Sequence, residues 1–178
     1  MQDKLIHIVL YSPKIPNNTG SIIRLCANTG AVLHLVEPLG FELDDTKLKR
    51  AGLDYHEYAS MQVHKNWADA KIALQKAGVA CMVAMTTKFS RPFYQYDFGL
   101  SQDIRPVALV FGSETEGLPE QVRADIGECN WLRLPMLPDS RSLNLANSVG
   151  ICLYELWRQL DFVGDVGQSV GYHKPTSR

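Results

Sequence analysis

Residues 5–36 read LIHIVLYSPKIPNNTGSIIRLCANTGAVLHLV, and the fold class follows from this segment. Its two ends, Leu5–Tyr11 and Val32–Val36, are short apolar runs rich in β-branched residues, which is typical of buried strands. Between them, a polar turn cluster precedes apolar residues at helical spacing, with Asn18 as the expected N-cap and Gly30 as the stop. A strand, a helix and a second strand in this order predict a β-α-β unit with parallel strands.

The same alternation continues along the rest of the chain. Further strands are expected at Met61–Val63, Val79–Met85, Val107–Phe111 and Trp131–Leu134, and further helices at Lys47–Arg50, Asn66–Ala77 and Leu143–Leu160. This pattern predicts an α/β fold, a mostly parallel sheet with helices on both faces. In such sheets ligands bind beyond the carboxyl ends of the strands. Functional residues are therefore expected just after four strand ends, those at Tyr11, Met85, Phe111 and Leu134.

The composition indicates one globular domain. Of the 178 residues, 46% are hydrophobic and 21% are charged, close to the averages for globular proteins. At about 150 residues per domain, the length predicts a single domain over residues 1–164, and the Gly-rich, polar residues 165–178 are expected to form a flexible tail. No apolar run approaches the roughly 18 residues of a membrane span, and the first residues lack a secretory signal pattern. We therefore expect a cytoplasmic protein with no membrane partner.

The charge balance and the cysteines exclude several classes of site. The 18 basic and 19 acidic residues give a net charge of -1, so RNA binding would need basic groups gathered locally or pooled by a dimer. The four cysteines form no CxxC pair, and the histidines are scattered, so we expect free thiols and no metal. The GSETEG run at Gly112–Gly117 is followed by Leu118 rather than by Lys, which argues against a phosphate-binding loop.

Polar clusters follow three of these strand ends. The first joins Asn17–Gly20 to Arg24, which we place on the first full turn of the helix, near an N-terminus that favours an anion such as phosphate. The alternative is an N-cap with a surface arginine. The second cluster, Gly112–Leu118, places Glu114 at the strand-end mouth beside glycines that let the backbone approach a ligand. The alternative is a tight loop in which Glu114 caps the following helix.

A third cluster, LPMLPDSRSLNLAN at Leu134–Asn147, carries more polar side chains than a helix cap needs. One Asp or Ser would suffice as a cap. Small residues follow at Ala146, Ser148 and Gly150, so either a ligand or a second helix packs closely against this helix start. We favour a ligand.

Together the three clusters resemble a known family. PxNxGxxxR at Pro16–Arg24, GSExxGL at Gly112–Leu118 and the segment Leu134–Asn147 are similar to the three motifs of the SPOUT superfamily, and within it of the SpoU branch of RNA ribose 2′-O-methyltransferases. Asn17 stands where some relatives carry Pro. The similarity extends through RAGLDYHEY, MTTK and YELWRQL to about residue 164. It is greatest to the minimal single-domain members, which methylate the wobble nucleotide 34 of tRNA, a cytidine or a modified uridine.

The resemblance implies a C-terminal trefoil knot, a homodimer, and S-adenosyl-L-methionine as methyl donor, with S-adenosyl-L-homocysteine as product and no metal. The implied cofactor-binding residues are Met85, Gly112, Leu134 and Ser142, the implied substrate-binding residues are Asn18, Glu114, Asn144 and Tyr154, and the implied catalytic residue is Arg24. Arginine is a poor general base because its pKa exceeds about 12, so we favour a role in holding a phosphate and polarising the 2′-oxygen, with proton loss assisted by that phosphate. Tyr154 is expected to contact RNA or the dimer partner, with a core aromatic as the alternative.

The implied RNA partner is the anticodon stem-loop of tRNA, bound in a groove to which both subunits contribute. The basic residues expected to line that groove are Arg24, Lys88, Arg91 and Arg141. Two other functions remain open from the sequence. One is ribose methylation at another position in tRNA or in rRNA, and the other is RNA binding by a SPOUT protein without catalysis.

Overall fold

The structure, a computed structural model, describes residues 4–43, 60–98 and 104–165. The strands are β1 Ile6–Tyr11, β2 Val32–Val36, β3 Met61–His64, β4 Cys81–Met85, β5 Arg91–Pro92, β6 Val107–Phe111 and β7 Trp131–Arg133. The α-helices are α1 Pro16–Thr29, α2 Trp67–Lys76, α3 Glu120–Ile126 and α4 Leu145–Gln159. Short 3-10 turns lie at Phe93–Gln95 and Glu128–Asn130. The helix expected at Lys47–Arg50 and residues 166–178 of the expected tail lie outside the described residues.

The strands form one parallel sheet in the order β3-β2-β1-β6-β4-β7-β5. The chain builds outward from β1 to β3 on one side, then crosses to the other side for β4, and later inserts β6 between β1 and β4. Because all strands run the same way, their carboxyl ends meet at one edge of the sheet. The order reverses beside β1, and such a switch point opens a crevice for ligands at that edge.

Helices cover both faces of the sheet, as the sequence predicts. On one face, Ile22 of α1 and Leu153 of α4 are fully buried and pack with Ile8 of β1. On the other face, Leu74 of α2 and Val122 of α3 pack in one cluster with Val9 of β1 and Val110 of β6. Neighbouring side chains of a strand point to opposite faces, so each buried strand must be apolar along its whole length. This explains the short continuous apolar runs in the sequence.

The start of α1 differs from its prediction. The helix begins at Pro16, with Ile15 as its N-cap and no side-chain cap, so the prediction of Asn18 as N-cap is wrong. Proline suits the first helical position because its fixed φ is helical and its missing N–H would have no partner there. Asn18 therefore lies within the first turn. The helix ends as predicted at Gly30, which has a left-handed φ of 75°.

Two elements lie outside the sequence prediction. Helix α3 has only seven residues, too few for a clear helical periodicity. Strand β5 is two residues long and pairs with β7 at the edge of the sheet. No helix in the described ranges is long and apolar enough to span a membrane.

Three buried histidines form a row across neighbouring strands. His7 of β1 bonds His34 of β2 at 2.9 Å between Nδ1 and Nε2, and His34 bonds His64 of β3 in the same way at 2.9 Å. Nε2 of His7 lies 3.2 Å from the carbonyl oxygen of Lys4, which can only accept. Each ring therefore donates from Nε2, and His7 and His34 accept at Nδ1. The row is satisfied when all three rings are neutral.

Candidate active site

A cavity of about 440 Å³ opens at the carboxyl edge of the sheet, where the loops that follow β4, β6 and β7 meet the start of α1. This volume is in the range of small-molecule sites. Its lining comprises Ile15, Asn18, Met85–Lys88, Phe111–Leu118, Arg133, Leu134, Met136, Ser142–Leu145 and Ser148. The segments after all four of the strand ends named from the sequence thus contribute to one cavity.

Glu114 joins the loop after β6 to the start of α1. Its carboxylate accepts hydrogen bonds from the backbone N–H groups of Lys14 at 2.8 Å and Ile15 at 3.2 Å, and from the side-chain amide of Asn18 at 2.9 Å. Burial would raise the pKa of Glu114, but the hydrogen bonds from Asn18 and the two backbone groups together hold it below its usual value. Glu114 is therefore a firmly ionised anchor.

Glu114 does not cap the helix that follows it. The N-cap of α3 is Pro119, without a side-chain hydrogen bond, so the capping alternative for Glu114 is wrong. The carboxylate instead turns back to the chain that enters α1, about 100 residues earlier in the sequence.

Asn144 ties the third cluster to the same point. Its Nδ2 donates to Oδ1 of Asn18 at 3.0 Å, while its own Oδ1 accepts from the backbone N–H groups of Ala146 and Asn147 as the N-cap of α4. Since a carboxylate can only accept, Glu114 fixes the orientation of the Asn18 amide, and Asn18 in turn fixes that of Asn144. One chain of hydrogen bonds thus links all three clusters.

The loop after β6 folds tightly on itself. The N–H of Gly117 donates to the carbonyl of Ser113 at 3.0 Å, and the N–H of Glu116 donates to Oγ of Ser113 at 3.1 Å. A Cβ at Gly112 would lie 2.0 Å from the carbonyl carbon of Gly117, which itself has a φ of 69°. Both glycines are therefore required for the backbone of this loop to form the cavity wall.

The family described as SpoU rRNA Methylase matches residues 5–154, a range that includes all three polar clusters and the cavity. The chain belongs to the SpoU methylase family. The three segments joined by Glu114, Asn18 and Asn144 are the parts of the sequence that resemble the motifs of that family.

Individual SpoU relatives cover almost the whole chain. The protein named tRNA (cytidine(34)-2′-O)-methyltransferase in Methylovorus glucosotrophus (strain SIP3-4) is 56% identical over 162 residues, which cover 91% of this chain and 100% of that protein. The protein of the same name in Burkholderia cenocepacia (strain HI2424) is 52% identical over 160 residues, covering 90% and 99%.

Solved structures show the same SpoU fold. A structure that concerns 2-OH methylation of C/U34 on tRNA has a TM-score of 0.75 and 40% identity, over 88% of this chain and 96% of that chain. The AdoMet-bound rRNA methyltransferase from Sinorhizobium meliloti has a TM-score of 0.75 and 28% identity, over 89% of this chain and 58% of that chain.

All but two of the predicted site residues line the cavity of this SpoU protein. Those that line it are Asn18, Met85, Gly112, Glu114, Leu134, Ser142 and Asn144. Residues missed by the sequence analysis include Lys14 and Ile15, which contribute backbone N–H groups to Glu114. A backbone contribution leaves no residue-type signal, and only their position after the first strand end points to them.

Arg24 and Tyr154 lie outside the cavity lining. Because α1 begins at Pro16, Arg24 is exposed on the third turn, about 12 Å along the helix axis from its first residue, and the prediction of the first full turn is wrong. Tyr154 is 47% exposed on α4 and meets Trp157 edge-on with ring centroids 5.6 Å apart, so the core-aromatic alternative is wrong. Its contact with RNA or a dimer partner stays a prediction.

Within the described residues, no group of three or more His, Cys, Asp or Glu side chains could hold a metal ion. The four cysteines are free thiols. Burial raises the pKa of Cys26 and of Cys152 to about 12, so both stay protonated at neutral pH.

Proposed function

We propose that the chain transfers a methyl group from S-adenosyl-L-methionine to the ribose 2′-oxygen of the wobble nucleotide 34 of tRNA, a cytidine or a modified uridine. The observation that carries this proposal is the hydrogen-bonded chain from Glu114 through Asn18 to Asn144, which holds the three SpoU motifs around one cavity. Relatives named for this reaction, 56% and 52% identical over nearly their full lengths, support the choice of substrate.

The cavity has features that suit S-adenosyl-L-methionine. Met85 and Leu134 offer half-buried apolar side chains to the adenine, while the tight backbone after Gly112 and the hydroxyl of Ser142 offer polar groups. When bound, the cofactor supplies a methyl group already activated by its sulfonium, so the transfer needs no metal. The product left in the cavity is S-adenosyl-L-homocysteine.

The chain's own residues then have to place and polarise the ribose. Glu114 and Asn18 hold the start of α1 at the mouth of the cavity, and Asn144 holds the start of α4 beside it. Holding two reacting groups in a fixed placement can account for much of the lowering of the activation barrier in a transfer reaction. We assign to Arg24 a phosphate contact and polarisation of the 2′-oxygen, and the hydroxyl proton leaves with the assistance of that phosphate, because a guanidinium is a poor proton acceptor.

We further propose a homodimer that binds the anticodon stem-loop in the cytoplasm. Ile151 and Tyr154, 50% and 47% exposed and adjacent on α4, present apolar surface together with Phe162 just beyond the helix. Exposed apolar surface of this kind is common at subunit interfaces. A dimer would also pool the modest basic groups of two subunits, including Arg24 and Lys88, in one RNA groove.

We also propose that the chain carries the C-terminal trefoil knot of the SPOUT fold. Two features support this. The loops after β4, β6 and β7 converge on one cavity, and the chain returns from β7 near the sheet edge to place α4 beside α1.

Nucleoside mass spectrometry tests the proposed reaction. The protein is incubated with S-adenosyl-L-methionine and tRNA from cells that lack the enzyme, and the methylated nucleoside is identified and mapped. We expect 2′-O-methylcytidine or a 2′-O-methyluridine derivative at position 34. Methylation at another position would keep the chemistry and overturn the substrate, and cofactor binding without any transfer would overturn the catalytic function.

A further inference from the structure

The loop after β4 carries an aromatic side chain that is exposed to solvent on a strained backbone. Phe89 is 96% exposed, the highest value for any large apolar side chain in the described part of the chain. Its φ of 51° lies in the left-handed region, which a bulky side chain adopts far less readily than glycine does. Phe89 therefore buries almost no apolar surface within its own chain and also strains its backbone.

The loop that carries Phe89 is fixed at the rim of the cavity. The hydroxyl of Ser90 donates to the carbonyl of Thr86 at 2.7 Å, and the N–H of Lys88 donates to the Thr86 hydroxyl at 3.2 Å. Thr86 is itself held by a 2.8 Å hydrogen bond from its N–H to the carbonyl of Leu132. Thr86, Thr87 and Lys88 all line the cavity, and Phe89 is the next residue along the chain, at 96% exposure.

We propose that Phe89 is the surface on which the base of the methylated nucleotide stacks. This inference rests on the proposed function. The ribose must enter the cavity for its 2′-oxygen to reach the methyl group, and the base attached to that ribose then lies at the rim. Unpaired RNA bases characteristically stack on exposed aromatic side chains. The neighbouring Lys88 offers a cation to the adjoining phosphate.

Stacking at Phe89 has a consequence for specificity. A ring face contacts the π-face of a base and does not read its hydrogen-bonding edge, so stacking tolerates different bases. The site would then accept cytidine and uridine alike, and discrimination would depend on neighbouring nucleotides.

A binding cycle tests the inference directly. We compare an anticodon stem-loop with the same RNA carrying an abasic ribonucleotide at position 34, by fluorescence anisotropy at one fixed salt concentration. The variants are Phe89→Gly, which relieves the left-handed strain, and Phe89→Trp, which keeps an aromatic face. Ile72→Ala is the matched control, since Ile72 is an apolar side chain 50% exposed on α2, away from the cavity.

Phe89→Gly is expected to weaken binding of the intact stem-loop by roughly five-fold to a hundred-fold, the usual range for losing one stacked base. The wild type should lose a similar factor on the abasic RNA, whereas Phe89→Gly should bind both RNAs equally. Phe89→Trp and Ile72→Ala should behave as the wild type, and cofactor affinity and thermal stability should not fall in any of them.

Several results would overturn the role of Phe89. One is wild-type affinity of Phe89→Gly for the intact stem-loop. Another is a Phe89→Gly variant that loses the same factor of affinity for intact and for abasic RNA. The third is a change in the sedimentation of Phe89→Gly, which would make the ring a subunit contact. A wild-type protein that neither binds the stem-loop nor methylates tRNA would count against the proposed function itself, which distinguishes the two failures.

Discussion

The carboxylate of Glu114 and the side-chain amide of Asn18 lie 2.9 Å apart, and their hydrogen bond joins the loop after β6 to the first turn of α1. Asn18 is buried, and its remaining oxygen is used by Asn144 at 3.0 Å. Asn18 is the buried member of this chain, so removing either Glu114 or Asn144 leaves a buried polar group of Asn18 unsatisfied. Such a group costs about 1–3 kcal/mol.

Asn18→Asp should therefore destabilise the protein. It replaces a donor with a second carboxylate beside Glu114, and the like charges should raise the pKa of Glu114 toward or above its usual value. We expect the free energy of unfolding at pH 7 to fall by about 1–3 kcal/mol, measured by urea denaturation. Asn17→Asp is the matched control because it makes the same charge change at an exposed position on the same turn. Equal stability in the two variants would contradict the role given to Asn18.

Gly112→Ala should prevent the loop after β6 from closing. The added methyl would lie 2.0 Å from the carbonyl carbon of Gly117, a backbone atom that cannot move without breaking the turn. We expect cofactor affinity, measured by calorimetry, to fall at least ten-fold, with a lower melting temperature. Gly20→Ala is the control, because nothing lies within 4 Å of a Cβ there.

Gly20 lies in the interior of α1, where alanine is favoured over glycine by about 0.5–1 kcal/mol. Gly20→Ala should therefore melt at the same or a higher temperature than the wild type. If both alanine variants bound the cofactor normally, the close backbone approach at Gly112 would have no role in the site.

The sheet could be predicted well because each of its central strands is buried on both faces. Such burial demands a short continuous apolar run, as in Val107–Phe111. A run of this kind can be recognised in the sequence without knowing which strands it pairs with. Helix α3 has no comparable signal, since seven residues complete barely two turns.

The site was predictable to the level of its segments and not of its contacts. Strand ends and polar clusters indicate where Glu114 and Asn144 lie. The role of Asn18, however, depends on a partner 96 residues away, which no local pattern contains. The prediction that Arg24 lies on the first full turn of α1 failed for a related reason. Asn18 resembles a cap by residue type, but Pro16 determines the start of the helix.

The histidine row predicts a loss of stability in mild acid. Burial, together with the charges of His7 and His64, lowers the pKa of His34 from 6.5 to about 3. Burial also lowers the pKa of His7 and His64. Between pH 6.5 and 3 the unfolded chain therefore binds more protons at His34 than the native state does, so the free energy of unfolding falls as the pH falls through this window.

His34→Gln removes this titration while it keeps one donor and one acceptor in the row. The difference in unfolding free energy between wild type and variant, measured by urea denaturation from pH 7.5 to 4.5, should shrink or reverse toward acid. Carboxylates contribute equally to both proteins and cancel in the difference. A difference that stays constant with pH would show that His34 does not contribute to acid lability.

Arg24 provides the sharpest test of how the reaction is assisted. Because Arg24 lies outside the cavity lining, Arg24→Ala should leave cofactor affinity unchanged while single-turnover methyl transfer falls by about 10²–10⁴-fold, the range for loss of one group that acts on the reacting atoms. Arg24→Lys keeps the charge but not the forked guanidinium, so it should recover only part of the rate. A side chain that acts as general base would show its own pKa in the pH–rate profile. An alanine variant with full transfer activity would remove Arg24 from the mechanism.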